Sequence, residues 1–196
     1  MTPTRLAIAA AGAAVLLLLV IGLLQLEGST TTSTPSSKLT LAQMRERLAE
    51  SAPPLAGLHE QASEILPGGL PALRARLAAL HGNPVVINKW ASWCGPCRAE
   101  FAAFQSAAVA QGRTVAFIGI DSGDSEAGAR LFLRSFPVSY PSYFDPSGAA
   151  GIAMTDSSFT PVTVFYNRHG AQFIHQGPYA SAARLERDIQ RYALVG

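Results

Sequence analysis

Residues 88–100 read NKWASWCGPCRAE and hold both cysteines of the chain, Cys94 and Cys97. Only Gly95 and Pro96 separate them, and Trp90 and Trp93 precede them. Such a pair can be half of a metal site, a haem attachment, a structural clip or a redox couple. Haem attachment requires C-x-x-C-H, and here Arg98 follows Cys97. A structural zinc site takes four ligands, usually two such pairs, and no second pair exists. The four histidines (His59, His81, His169, His175) show no ligand spacing and read as ordinary surface or core residues. Closing so short a loop removes little chain entropy, which argues against a clip. Two soft thiolates can still bind Cu(I), so that reading stays open beside redox chemistry.

The surroundings of the pair favour redox chemistry. VVIN (85–88) is a short β-branched run that reads as a buried strand, and residues 97–111 carry Phe101, Phe104 and Ala108 on one helical face. A strand running into a helix puts Cys94 at the helix N-terminus, where unpaired N–H groups and the helix dipole favour a thiolate. Pro96 falls in the first turn, where its missing N–H costs nothing. Cys97 lies on the helix proper, close enough to close a disulfide yet sheltered from an incoming substrate. Because thiolate is the attacking species, Cys94 reads as the nucleophile and Cys97 as the resolving thiol.

Working outward, the folded part spans residues 39–196, with its core at about 84–192. Helices are expected at 39–50 (Leu41, Met44 and Leu48 inward, closed by Pro53 and Pro54), around 55–66 and at 70–80. TVAFIGI (114–120) reads as a second buried strand and SEAGARLFLRSF (125–136) as a helix that either Asp124 or Ser125 can cap. PVTVFYN (161–167) and AQFIHQ (171–176) form a β-hairpin, and residues 181–194 a final helix with Leu185, Ile189 and Tyr192 inward. The order β-α-β-α-β-β-α gives an α/β fold: a parallel unit, an antiparallel pair, and helices on both faces of one mixed sheet.

The N-terminal end differs in kind. Residues 6–26, LAIAAAGAAVLLLLVIGLLQL, hold no charge, and as a helix they span roughly 31 Å, about a bilayer's hydrocarbon thickness. Arg5 before them and Glu27 after them place a short tail, residues 1–5, in the cytoplasm. A cleaved signal peptide is the alternative, but no A-x-A site follows, so the segment reads as an uncleaved transmembrane anchor. Residues 27–38 are a Ser/Thr-rich linker without apolar side chains after Gly28; its last 11 residues reach roughly 18 Å as a flexible coil. The remaining 39–196 are then extracytoplasmic. With 14% charged residues, a net charge of +2 and no basic run, the chain carries no nucleic-acid footprint.

NKWASWCGPCRAEF resembles the active-site segment of thioredoxin-like proteins, and specifically of the TlpA/ResA group of membrane-anchored thiol–disulfide oxidoreductases. The resemblance covers residues 55–192. GIDSGDSEAGARLFLRSFPVSYPSYFDPSG is similar to the insertion that group carries after its second strand, and FTPVTVFYNRHGAQF to its strand led by a cis-proline. The resemblance implies a redox-active Cys94–Cys97 disulfide, Glu100 as the acidic residue beside it, and Trp93, Thr160 and Pro161 as substrate-binding positions. It implies no cofactor and no metal. Three positions depart from the pattern. Asn88 stands where cytosolic thioredoxins bury an aspartate, so any proton transfer passes to Glu100 or water. Lys89 replaces a residue that is apolar in many relatives and is expected to point to solvent. Ala102 replaces a proline, implying a straighter helix.

What the resemblance implies about function is protein-disulfide reductase activity. The Gly-Pro interior matches thioredoxin, near about −270 mV, rather than the strong oxidant DsbA, near about −120 mV. A transmembrane thiol carrier would supply electrons, and apocytochrome c or copper-site cysteines would be the clients. A disulfide-forming oxidase of secreted proteins and a Cu(I)-delivery module are the alternatives.

Overall fold

The computed structural model of the chain describes residues 39–195. The expected tail, anchor and linker (1–5, 6–26 and 27–38) lie outside the described residues. Among the described residues no helix is long and apolar enough to cross a membrane.

Six strands form one mixed sheet: β1 (Ile65–Leu66), β2 (Val85–Trp90), β3 (Ala116–Ser122), β4 (Ser142–Asp145), β5 (Val162–Tyr166) and β6 (Gln172–Gln176), in the order β1-β4-β3-β2-β5-β6. The first four run parallel to one another, while β5 pairs antiparallel with both β2 and β6. This is the mixed sheet expected from the strand-helix order, in the thioredoxin-like architecture that the resemblance implies. Successive residues of β2 face opposite sides, and all six are buried, as a central strand covered on both faces requires.

The helices are α1 (Leu41–Leu48), α2 (Leu55–Glu60), α3 (Gly69–Ala79), α4 (Gly95–Gln111), α5 (Glu126–Ser135), α6 (Ala149–Thr155) and α7 (Ala182–Asp188). α7 continues through Ile189–Leu194 in wider, π-helical turns. On one face Val86, Trp90, Phe117 and Phe165 of the sheet pack with Phe101 and Phe104 of α4, Phe132 of α5 and Leu185 of α7. On the other face Val85, Ile87, Ile118, Ile120 and Val164 pack with Leu58 of α2 and Leu73 of α3. α1 begins at a capping box in which Thr40 and Gln43 each take the other's backbone N–H. In α2 the buried His59 has its ring nitrogens at 3.2 Å from the Ser139 carbonyl and 3.0 Å from that of Gly112.

The structure corrects one helix boundary, adds two elements and selects one of two candidate caps. The helix expected at 55–66 stops at Glu60, and β1 follows it. Ser63 sits between them in the left-handed region (φ 60°), and its hydroxyl both donates to the Val138 carbonyl and accepts from the Val138 N–H. β4 and α6, inside the inserted segment and just after it, had no counterpart among the expected elements. Of the two candidate caps of α5, Ser125 caps it, accepting from Gly128 N–H at 3.2 Å. One glycine is fixed by packing: a Cβ on Gly119 would collide with Ser142 and with the Trp90 indole, which donates to the Ser142 hydroxyl.

Candidate active site

β2 ends at Trp90, and the chain turns through Ala91, Ser92 and Trp93 into α4. Cys94 is the N-cap of that helix: its backbone is extended (φ −77°, ψ 110°), and its sulfur accepts the Cys97 N–H at 3.2 Å. That N–H is one of the donors a helix start leaves without an internal partner, and it points at the sulfur on which negative charge develops in exchange. Pro96 lies in the first turn, as the motif requires. Cys94 and Cys97 are joined in a disulfide, with Cα atoms 5.3 Å apart. Cys94 is 3% exposed and Cys97 is fully buried, so the sheltering expected of Cys97 is present, but Cys94 is only slightly more open.

The chain before β5 closes the site from the other side. The Thr160–Pro161 bond is cis. The Thr160 carbonyl lies 3.8 Å from the Cys94 sulfur and its hydroxyl 3.8 Å from that of Cys97. That hydroxyl also donates to the Lys89 carbonyl at 3.1 Å, which ties the segment to β2. Trp93 projects outward, 63% exposed, with its indole N–H donated to the Gly123 carbonyl at 3.0 Å. Gly123 supplies that carbonyl from a left-handed turn (φ 67°). Phe159, next to Thr160, is 74% exposed, so two aromatic rings face solvent on the segments that carry the disulfide and the cis bond. Nothing in the sequence marked Phe159, since a lone aromatic before a strand reads as core.

Glu100 lies one helical turn beyond Cys97 and is wholly buried. Its Oε2 accepts the Tyr179 N–H at 3.1 Å, and its Oε1 has no hydrogen-bond partner. Burial pushes its pKa up to about 8, against the opposing effect of the Tyr179 N–H and of the Asn88 amide. Asn88 is near enough to temper that shift, but neither its amide atoms nor Glu100 Oε1 closes a hydrogen bond of normal geometry. Tyr140, also fully buried and without a partner for its hydroxyl, is pushed up by burial and then by the Glu100 charge. The structure thus gathers Asn88, Glu100 and Tyr140 into one buried polar group; sequence reasoning named the first two and missed the third.

Lys89 requires a correction. It was expected to point to solvent, yet it is 2% exposed and donates from Nζ to the Ser157 carbonyl at 2.6 Å. Burial lowers its pKa, and the Asp145 carboxylate partly offsets this. Strand alternation places Lys89 on the same face as Val85 and Ile87, where α6 covers it. A second acidic group, Asp121 and Asp124, adjoins the loop before Cys94. Asp121 is fully buried and raised to about 8 by burial and then by Asp124 and Asp145. Burial works to raise Asp124 as well, but hydrogen bonds from Ser92 and Ser125 carry it below the usual carboxylate range.

A helix start with a donor aimed at Cys94, a second cysteine buried behind it and a buried carboxyl one turn further on suit thiol–disulfide exchange. Comparison with known proteins agrees. Residues 73–171, half of the chain, match the Redoxin family model. The thiol-disulfide oxidoreductase ResA of Bacillus subtilis is 28% identical over 98 residues, covering 50% of this chain and 54% of ResA. The chain spans about half the length of the curated relatives it matches. A putative thiol:disulfide interchange protein DsbE from Chlorobium tepidum superposes with a TM-score of 0.53 at 25% identity, covering 59% of this chain and 83% of that one. A secreted Mycobacterium tuberculosis disulfide oxidoreductase homologous to Escherichia coli DsbE shares the fold, with a TM-score of 0.53, 24% identity, and coverage of 58% and 85%. The chain belongs to the Redoxin family, as a thioredoxin-like protein of the TlpA/ResA type.

Proposed function

We propose that the chain is a membrane-tethered, extracytoplasmic thiol–disulfide oxidoreductase that reduces protein disulfides through Cys94 and Cys97. The observation that carries this reading is the placement of Cys94 as N-cap of α4, bonded to Cys97 and facing the Thr160–Pro161 segment. In the reduced form the Cys94 thiolate attacks one sulfur of the client disulfide. A mixed disulfide forms and the other client sulfur leaves as thiolate, which takes up a proton. Cys97 then loses its proton, attacks the Cys94 sulfur and re-forms the intramolecular bond, releasing the second client thiol. Two electrons pass to the client.

Glu100 is the residue suited to take the Cys97 proton. A carboxyl raised to about 8 holds its proton at neutral pH while the disulfide is closed. On re-reduction it can give that proton to the Cys97 sulfur and so become the carboxylate that the next oxidation needs. Trp93, Thr160 and Pro161 form the client-binding edge, where the backbone of residue 160 can pair with an extended client segment. Residues 6–26 anchor the protein with its N-terminus in the cytoplasm. A transmembrane thiol carrier supplies electrons, and apocytochrome c or copper-site cysteines are the client class.

The test is the reduction potential of the full-length protein, equilibrated against defined glutathione and dithiothreitol ratios. A value below about −200 mV agrees with a reductase. A value near about −120 mV would turn the reading to disulfide formation. Stoichiometric Cu(I) retention against physiological glutathione would turn it to metal delivery.

A further inference from the structure

The loop that delivers Cys94 is gripped from several sides. Asp124 accepts both the Ser92 N–H, in a short hydrogen bond, and the Ser92 hydroxyl at 3.0 Å. Arg98 donates from Nε and Nη2 to the Ser92 carbonyl at 3.0 and 2.8 Å. Every polar group of Ser92 is therefore held by a charged side chain, and Trp93 is held by Gly123. Asp124 also accepts the Ser125 N–H at 2.7 Å, which fixes it to the start of α5.

Next to Asp124 stands Asp121, at the end of β3 and in register with Trp90 of β2. It is fully buried, and neither of its oxygens receives a hydrogen bond from any described donor. A buried carboxylate with no donor, beside a second carboxylate, is strongly disfavoured, whereas one proton converts the repulsion into a carboxyl-to-carboxylate hydrogen bond. We propose that Asp121 and Asp124 are positioning residues, a pair that shares one proton and fixes the seat of Ser92 and Trp93 beside Cys94, so that losing the proton loosens the loop. The consequence for turnover rests on the exchange reaction proposed above; the proton sharing does not.

The charged groups around the pair agree. Asp145, at the end of β4, adds a second negative charge toward Asp121, and Lys89 of β2 faces Asp145. Arg98 of α4 reaches the far side of Ser92. The upward shift of Asp121 and the downward shift of Asp124 are what a pair with one proton between them requires.

The test uses the full-length oxidised protein in detergent, where no thiol titrates. Carboxyl 13C NMR should show Asp121 protonated at pH 6 and losing its proton above neutrality, with the Ser92 amide and the Trp93 indole proton shifting in the same step. Asp121→Asn should abolish that step in both protons, while Glu100→Gln should leave it in place. An Asp121 carbonyl shift already ionised at pH 6 would overturn the proposal in the wild type alone, whatever the variants do. So would a Ser92 step that survives Asp121→Asn or disappears in Glu100→Gln. In turnover of a peptide disulfide, Asp124→Asn should raise KM about tenfold, through loss of charge-assisted hydrogen bonds to the loop. Unchanged KM in a variant whose Ser92 amide has shifted would overturn the positioning role. Absence of turnover in the wild type would instead remove the exchange reading and leave the proton sharing intact.

Discussion

The Thr160 hydroxyl lies 3.8 Å from the Cys97 sulfur while donating to the Lys89 carbonyl at 3.1 Å. A hydroxyl can rotate, so on reduction the same group can turn its hydrogen to a Cys97 thiolate. It is the one side-chain hydroxyl that touches the Cys97 sulfur among the described residues. Thr160→Val keeps the branched shape and removes this option. The variant should resolve a preformed Cys94 mixed disulfide about tenfold more slowly, the effect of one hydrogen bond to a charged group. Alkylation of Cys94 should keep its wild-type rate. Stopped-flow measurement of both steps separates these outcomes, and equal slowing of both would assign Thr160 to structure alone.

The two raised carboxyls make stability depend on pH in a direction opposite to the usual one. Glu100 and Asp121 hold their protons to about pH 8 in the folded chain, whereas the unfolded chain releases them near pH 4. Between those limits the folded state binds more protons, so stability falls as pH rises and levels off above about pH 8. Denaturant unfolding of the oxidised protein from about pH 5 to about pH 9 should show this decline. Glu100→Gln and Asp121→Asn should each flatten part of it. A wild-type stability that rises over this range would show that both groups are ionised in the fold.

Much of this site was legible because its signals are local. The cysteine spacing, Pro96 and the β-branched run before them mark a strand entering a helix, and the structure places Cys94 at that junction. The periodicity of Phe101, Phe104 and Ala108 marks the buried side of α4, and all three are buried. What escaped depends on partners distant in sequence. β4 is four residues between Pro141 and Pro146 and becomes a strand because β1 and β3 flank it. Lys89 looks like a surface residue until Ser157, 68 positions away, receives its ammonium. Asp124 precedes a helix and so reads as a cap, yet its acceptors are taken chiefly by Ser92, 32 positions earlier.

Lys89 makes its own testable demand. Its ammonium is the buried donor to Ser157 and the cation facing Asp145, and Asp145 in turn accepts from Ser122 and from the Ala150 and Gly151 N–H groups. Lys89→Met fills a similar volume but leaves a buried carboxylate without its cation. Unfolding free energy should fall by about 2 kcal/mol, in the range for leaving the buried Ser157 carbonyl without its charged donor. Adding Asp145→Asn should recover part of the loss, because the uncompensated charge is then gone. Additive losses in the two single variants would show that the pair is not coupled.

The division of labour between the sulfurs can be read from trapping. Cys94 receives the Cys97 N–H and stands at the positive end of α4, so it is the sulfur on which negative charge is stabilised. Cys97 is fully buried, with the Thr160 hydroxyl 3.8 Å from its sulfur. Only Cys94 should therefore open a client disulfide. A Cys97→Ser variant should accumulate a mixed disulfide between Cys94 and the client, since the second attack has no sulfur to make it. A Cys94→Ser variant should trap almost nothing, because the remaining thiol is sheltered and lacks the helix-start donor. Non-reducing gels of cells expressing each variant read the difference directly, and mass spectrometry of the trapped complex names the client. The small gap in exposure between the two residues makes this a demanding test: if burial alone governed attack, both variants would trap poorly. Equal trapping by the two variants would overturn the assignment of roles, and trapping by Cys94→Ser alone would reverse it.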